Sequence, residues 1–162
     1  MEDLVEKKLD LGFLTGPVQS KNIAQHIIHT APYVAALPLD HWLSELDEIP
    51  LKLLEKEDFV VEDNINWRHF IPQLNAVCIE AGFIPKISRQ APNTESIFGL
   101  VTAKMRITLY PDFDLNYNRQ NITIRPVKNG NAYTIFESAW KSQTINPTID
   151  QFLSTNQMPL YP

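Results

Sequence analysis

The segment that decides the fold covers residues 80–111 and has the sequence EAGFIPKISRQAPNTESIFGLVTAKMRITLYP. Its pattern predicts a helix that stops at Gly82, a strand over residues 86–91, a second helix and a further strand. Gly82 suits a helix end because glycine adopts a left-handed conformation at no steric cost. Asn93 or Thr94 can cap the second helix. Strands that alternate with helices in this way indicate an α/β fold with largely parallel sheets.

The same alternation extends on both sides of this segment. Apolar residues from Trp67 to Ala81 recur at spacings of three and four, which predicts a helix. Pro72 requires this helix either to begin near Phe70 or to kink. Asn146-Pro147 predicts the start of a last helix. Strands are predicted at residues 11–14 (ended by 15–17), 23–29 (an edge strand), 33–37 (a buried parallel strand), 59–61, 106–109, 122–127 and 133–139.

Composition places the chain among ordinary soluble domains. It has 162 residues, of which 44% are hydrophobic and 20% charged, and a net charge of −5. A negative balance argues against direct nucleic-acid binding, which requires a basic face. No apolar run approaches the roughly 18 residues of a membrane span, and the acidic start does not resemble a signal peptide. Because Cys78 is the only cysteine, no internal disulfide can form, and a cytoplasmic location is expected.

Catalytic and metal-binding motifs are missing from the sequence. His26 and His29 would project from opposite faces of a strand, so they are not expected to share a metal. Cys78 lies on the apolar face of its helix and is predicted to be a buried, inert thiol. For Glu62 and Asp63, a solvated loop is favoured over an acid–base pair. The prediction is therefore a protein that is not an enzyme and needs neither a metal nor a cofactor.

The order and spacing of these segments resemble the effector-sensing domain of LysR-type transcriptional regulators. In that family the helix over residues 99–103 ends in a Gly-x-Gly turn, and Lys104 and Arg106 stand here in place of the two glycines. The resemblance rests on residues 9–14, 33–43, 49–60, 80–111, 139–141 and 146–153.

This resemblance implies a periplasmic-binding-protein-like fold of type II, with two Rossmann-like lobes of which the first is incomplete. The first lobe would comprise residues 1–38 and 131–157, the second lobe residues 39–130, and a tail residues 158–162. The family's winged helix-turn-helix and its first strand–helix–strand segment have no counterpart here, so a truncated N-terminus is expected. The strand at residues 11–14 would then expose an edge, which predicts low stability or association through that edge.

Candidate ligand contacts lie at strand ends and helix N-termini, where N–H groups and the helix dipole suit carboxylates. Capping is the favoured interpretation of Asn93 and Thr94, and core packing is the alternative for Trp67. Glu62 disfavours an anionic effector unless its side chain points away. The candidates are Thr15, Gly16, Val61, Glu62, Asn64, Trp67, Asn93 and Thr94.

The resemblance implies a sensing and oligomerisation module that binds a small metabolite between the lobes to control transcription. It would self-associate or pair with a related regulator subunit, without binding DNA or a membrane itself. The alternative is a stand-alone or remnant binding protein that forms mixed dimers with a full-length regulator. An enzyme is the third hypothesis. The identity of the effector, the promoter and the oligomeric state are not encoded in any motif.

Overall fold

A computed structural model describes residues 2–16, 20–63, 70–112, 119–128, 133–144 and 146–155. The strands are β1 (Gly12–Gly16), β2 (Ile23–Pro38), β3 (Ile49–Pro50), β4 (Asp58–Glu62), β5 (Lys86–Ala91), β6 (Thr108–Pro111), β7 (Ile122–Lys128) and β8 (Tyr133–Lys141). The helices are α1 (Glu2–Val5), α2 (Phe70–Glu80), α3 (Thr94–Thr102) and α4 (Pro147–Thr155), with 3-10 helices at Trp42–Glu45 and Leu51–Leu54. Within these residues, no helix is long and apolar enough to cross a membrane.

The chain divides into two compact units. The first unit combines Met1–Ala31 with Thr134–Pro162, and the second unit is Pro32–Tyr133. In the first unit β1 pairs antiparallel with β8, so that Gly12 lies opposite Ala139. The predicted break at residues 15–17 is wrong for Thr15 and Gly16, because pairing with β8 continues the strand through both.

The last helix of the first unit begins as predicted. The side-chain oxygen Oδ1 of Asn146 accepts the Thr148 N–H at 3.0 Å, and Pro147 is the first helical residue. Ile149 is buried on the inner side of α4, and Phe152 packs edge-on against Phe13 with ring centroids 5.6 Å apart. A cap followed by proline therefore identified this helix correctly.

Strand β2 is a single element of 16 residues, although two strands are predicted there. Its second half pairs antiparallel with both β6 and β7, so the predicted parallel pairing of residues 33–37 is wrong. The continuous apolar run has another cause. Tyr33, Ala35 and Leu37 belong to one core cluster, whereas Val34 and Ala36 belong to the cluster on the opposite face. Both faces of this strand are covered.

Parallel pairing occurs elsewhere in the second unit. Strand β4 pairs parallel with β5, β3 pairs parallel with β7, and a parallel bridge joins Phe59 to Ile107 just before β6. Helix α2 packs with Phe59 and Val61 on one face of β4. Helix α3 packs with Val60 on the other face. The parallel strand β4 thus has a helix on each face, as is typical of an α/β fold.

Helix α2 is described over Phe70–Glu80, with Pro72 at its third residue. At its end Gly82 has φ 84°. The Phe83 N–H donates to the Cys78 carbonyl at 3.0 Å and the Gly82 N–H to the Ile79 carbonyl at 2.9 Å, which is a Schellman motif. Cys78 is fully buried as predicted, and burial raises its pKa to about 12, which disfavours the reactive thiolate.

Candidate functional site

The carboxyl ends of β4 and β5 meet at one edge of the second unit. Glu62 lies opposite Ala91 in the parallel register, and the Asp63 N–H donates to the Ala91 carbonyl at 2.8 Å. The chain leaves β5 through Asn93 directly into α3. Two strand ends and one helix N-terminus therefore converge, and we call this group of residues 61–63 and 91–94 the carboxyl edge. In α/β folds, ligands bind at such edges.

The central polar group of the carboxyl edge is the Glu62 carboxylate. Glu62 is only 9% exposed, and its Oε2 accepts a hydrogen bond from Thr94 Oγ1 at 3.2 Å. The prediction of a solvated loop is wrong for Glu62, because pairing with β5 extends β4 through it, whereas Asp63 is exposed. A buried carboxylate is costly unless it is hydrogen-bonded, and Thr94 supplies one such bond.

The N-terminus of α3 is capped as predicted. The Asn93 side chain accepts the Ser96 N–H at 2.9 Å, which identifies Asn93 rather than Thr94 as the cap. In the same turn, Glu95 accepts two hydrogen bonds of 2.7 Å from the Arg119 guanidinium. The hydrogen bonds from Arg119 lower the pKa of Glu95. This terminus therefore carries the Glu95 carboxylate as well as the cap, and Glu62 lies beside it.

The other predicted contacts are distributed as follows. Val61 lies inside β4 rather than after it, and its side chain is 1% exposed in the core beside α2. Asn64 and Trp67 lie outside the described residues. Thr15 and Gly16 belong to the first unit, where they pair with Phe136 and Ile135. The structure thus brings Glu62, Asn93 and Thr94 together in the second unit.

Gly16 of the first unit lies directly against a buried carboxylate. A Cβ at this position would be 2.2 Å from Glu137 Oε2 and 2.4 Å from Glu137 Cδ. Glu137 is 1% exposed, so its side chain has little room to move away. The absence of a side chain at residue 16 therefore makes space for Glu137, which explains a glycine at the paired end of β1.

Residues 1–156 match the family model described as the LysR substrate binding domain. The chain belongs to this family. It is 27% identical over 156 residues to the Hca operon transcriptional activator HcaR of Escherichia coli K12, covering 96% of the chain and 53% of HcaR. It is 25% identical to the HTH-type transcriptional regulator AlsR of Bacillus subtilis 168, covering 94% of the chain and 50% of AlsR. The chain spans about half the length of both relatives.

Solved structures agree with the fold of a LysR substrate-binding domain. The effector-binding domain of BenM, solved with its effector benzoate, superposes with a TM-score of 0.81 at 20% identity. The match covers 99% of this chain and 77% of the BenM domain. At this identity the similarity shows the fold, which confirms the predicted type II periplasmic-binding-protein-like architecture.

Two groups near the candidate contacts of this LysR domain escaped the sequence analysis. Glu137 lies in β8 and was hidden within a segment identified only as a strand. Arg119 reaches α3 from 24 residues away, and its guanidinium lies 4.3 Å from the centre of the Phe98 ring. For the buried carboxylate, the one signal in the sequence was Glu137 itself, a charged residue in a mainly apolar strand. Within the described residues, no three His, Cys, Asp or Glu side chains are arranged to hold a metal ion.

Proposed function

We propose that this chain is the effector-sensing part of a LysR-family transcriptional regulator and that it binds a small metabolite at the carboxyl edge. Family membership supports the first part. The observation that carries the second part is the buried Glu62 carboxylate, hydrogen-bonded to Thr94 where two parallel strands end beside a helix N-terminus. In this proposal Glu62, Asn93 and Thr94 are ligand contacts, and the two compact units correspond to the two lobes of the family.

Control of transcription follows from differential affinity. A metabolite that binds one conformation of the regulator more tightly than another shifts the population toward it, and the coupling between effector and promoter is reciprocal. DNA contacts would be made outside these residues, because the net charge of −5 is unfavourable for phosphate binding. A cytoplasmic location is part of the proposal, since a bacterial-type regulator must reach its promoter.

The charge at the carboxyl edge restricts the effector. Two like charges about 4 Å apart repel by roughly 4 kcal/mol at an effective dielectric constant of about 20. An effector carboxylate placed beside Glu62 would meet this repulsion, whereas an amide, a hydroxyl or an amine would donate a hydrogen bond to the Glu62 oxygens. We therefore expect the group that contacts Glu62 to be a hydrogen-bond donor rather than an anion.

The substitution Glu62→Gln is expected to reverse this preference. The test is the melting temperature of the chain with benzoate, benzamide and benzylamine. These compounds share a ring and are an anion, a neutral molecule and a cation, respectively. The melting temperature of the unmodified chain should rise more with benzamide or benzylamine than with benzoate. Glu62→Gln should improve the affinity for benzoate relative to benzylamine at least about tenfold, since 1.4 kcal/mol corresponds to that factor.

The matched control is Glu55→Gln, which removes an exposed carboxylate paired with Lys52 at 3.1 Å, away from the carboxyl edge. It should leave all three responses unchanged. A response to benzoate that exceeds the others and survives Glu62→Gln would contradict the assigned role of Glu62. A failure of this panel and of a wider metabolite library to bind at all would count against the sensing function.

Self-association, or pairing with a related regulator subunit, is a further part of the proposal. Among the described strands, only β8 pairs with β1, so β1 forms an edge of its sheet. The unpaired backbone groups of an edge strand can pair with a strand of another chain. Sedimentation velocity at two concentrations, alone and mixed with a full-length LysR regulator, measures both forms of association. A concentration-independent monomer that melts cooperatively at high temperature would contradict them.

A further inference from the structure

A cavity of about 220 Å³ lies at the opposite end of β4 from Glu62. It is bounded by Pro38 at the end of β2, by His41 beyond it, by residues 56–58 at the start of β4, and by residues 104–107 before β6. All of these residues belong to the second unit. We call it the amino-edge cavity. Its volume is below the roughly 300–1,000 Å³ of pockets for drug-sized ligands, so it suits a small ion or a single functional group.

Cationic side chains outnumber carboxylates in the wall of this cavity. Lys56, Lys104 and Arg106 all line it, and Lys86 lies 2.7 Å from the Asp58 carboxylate at its margin. The carboxylates of Glu57 and Asp58 also line the cavity, and Lys104 pairs with Asp40, which lies outside the lining. Three cationic side chains and two carboxylates therefore line the cavity, on a chain whose net charge is −5.

Lys104 occupies a position that favours glycine. Its φ is 57°, in the left-handed region that side chains disfavour. The Met105 N–H donates to the Leu100 carbonyl at 3.1 Å and the Lys104 N–H to the Val101 carbonyl at 2.9 Å. These bonds form a Schellman motif that ends α3, with Lys104 at its left-handed position. Strained residues of this kind are often retained where their side chain has a function.

Arg106 presents an unused donor. Its side chain is 22% exposed, and its Nε is buried without a hydrogen-bond partner within the described residues. Its Nη1 donates to the Met105 carbonyl and lies 3.7 Å from Asp58 Oδ2. A buried N–H group without a partner is rare in proteins and points to a bound ion or water.

His41 adds an imidazole donor to the same wall. Its Nδ1 accepts the Leu43 N–H at 3.3 Å, which assigns the proton of the neutral ring to Nε2. That Nε2 lies 3.5 Å from Glu57 Oε2, so it is directed at a carboxylate oxygen. The cavity therefore holds donors of three kinds, namely ammonium, guanidinium and imidazole groups.

We propose that the amino-edge cavity binds a small multivalent oxyanion of the phosphate type. Guanidinium and ammonium donors match the several oxygens of such an anion, and the cavity is too small for a larger metabolite. The anion would displace the Asp40 carboxylate from Lys104. This exchange is feasible because both side chains are more than 60% exposed, and exposed ion pairs are weak. The site is separate from the carboxyl edge and does not depend on the proposed effector site.

Isothermal titration of the 162-residue chain with sodium phosphate at constant ionic strength tests this proposal. The decisive variant is Lys104→Gly, which removes the ammonium group and relieves the left-handed backbone. We expect saturable binding to the unmodified chain and an affinity reduced about tenfold in Lys104→Gly, the effect of losing one charged hydrogen bond. Because glycine accepts this backbone conformation, the melting temperature of the variant should not fall, so a loss of binding cannot be attributed to unfolding.

Three comparisons complete the test. Lys104→Arg should retain phosphate binding. So should Lys128→Ala, which removes a lysine that is 73% exposed on β7. Glu62→Gln at the carboxyl edge should also leave phosphate binding unchanged. Sulfate should compete with phosphate, and acetate should bind more weakly. No saturable phosphate binding, or equal affinity in Lys104→Gly, would overturn the site. Acetate binding as tight as phosphate binding would overturn the assignment to a multivalent anion.

Discussion

Replacement of Phe59 by alanine is expected to lower the free energy of unfolding by about 3–5 kcal/mol, the usual cost of a buried Phe→Ala change. Phe59 is 0% exposed and lies in the core cluster that contains Leu74 and Cys78 of α2. Its backbone is held by β5, through pairing with Ile87, and by the bridge to Ile107. Because these neighbours are fixed, the sheet cannot collapse into the space that the ring leaves.

Urea unfolding followed by circular dichroism measures this loss. Phe13→Ala is the matched control, since it removes the same ring from a residue that is 64% exposed. The Phe13 ring packs against that of Phe152, with ring centroids 5.6 Å apart. An aromatic contact of this kind contributes about 0.5–1.5 kcal/mol. Equal losses in the two variants would show that the core around β4 is not packed as described. A loss of 3–5 kcal/mol is a large fraction of the 5–15 kcal/mol typical of a domain.

Gly16→Ala is expected to destabilise the first unit by about 1–3 kcal/mol, the range observed for overpacked sites. The added methyl group would lie 2.2 Å from Glu137 Oε2. The Glu137 side chain would have to move although it is 1% exposed. The cost arises from this contact rather than from the backbone, because Gly16 lies in a regular strand paired with Ile135, where alanine is allowed.

Thermal and urea unfolding of three further variants isolates the contact. Gly99→Ala adds the same methyl group inside α3, where nothing lies within 4 Å, and is expected to stabilise by about 0.5–1 kcal/mol through helix propensity. In a Glu137→Ala background the same change at Gly16 should cost much less, and a double-mutant cycle gives the coupling. Equal costs in both backgrounds would refute the steric explanation.

Local sequence signals predicted the parts of the fold that local physics controls. Gly82 ends its helix through backbone hydrogen bonds, and the Asn93 side chain caps its helix by accepting the Ser96 N–H. Both contacts join residues a few positions apart, so composition and order suffice to predict them. The spacing of Phe70, Leu74 and Cys78 likewise predicts the buried face of α2, because helical periodicity is a property of one segment.

Strand partners were predicted less well because they come from distant parts of the chain. The continuous apolar run at the end of β2 fits burial on both faces, but sequence alone does not say that its neighbours run antiparallel. The burial of Glu62 likewise depends on distant parts of the chain. Its position at a strand end is visible in the sequence, but the hydrogen bond from Thr94 joins residues 32 apart.

The family glycine positions show both contributions. The sequence alone indicated a resemblance to an α/β sensing family, and in that resemblance Lys104 and Arg106 stand where glycines are expected. It could not show that Lys104 keeps the left-handed conformation or that both side chains line one cavity with His41 and Asp58. Helix ends and apolar periodicity depend on neighbours in the chain, whereas cavities and buried charges depend on which distant segments the sheet brings together.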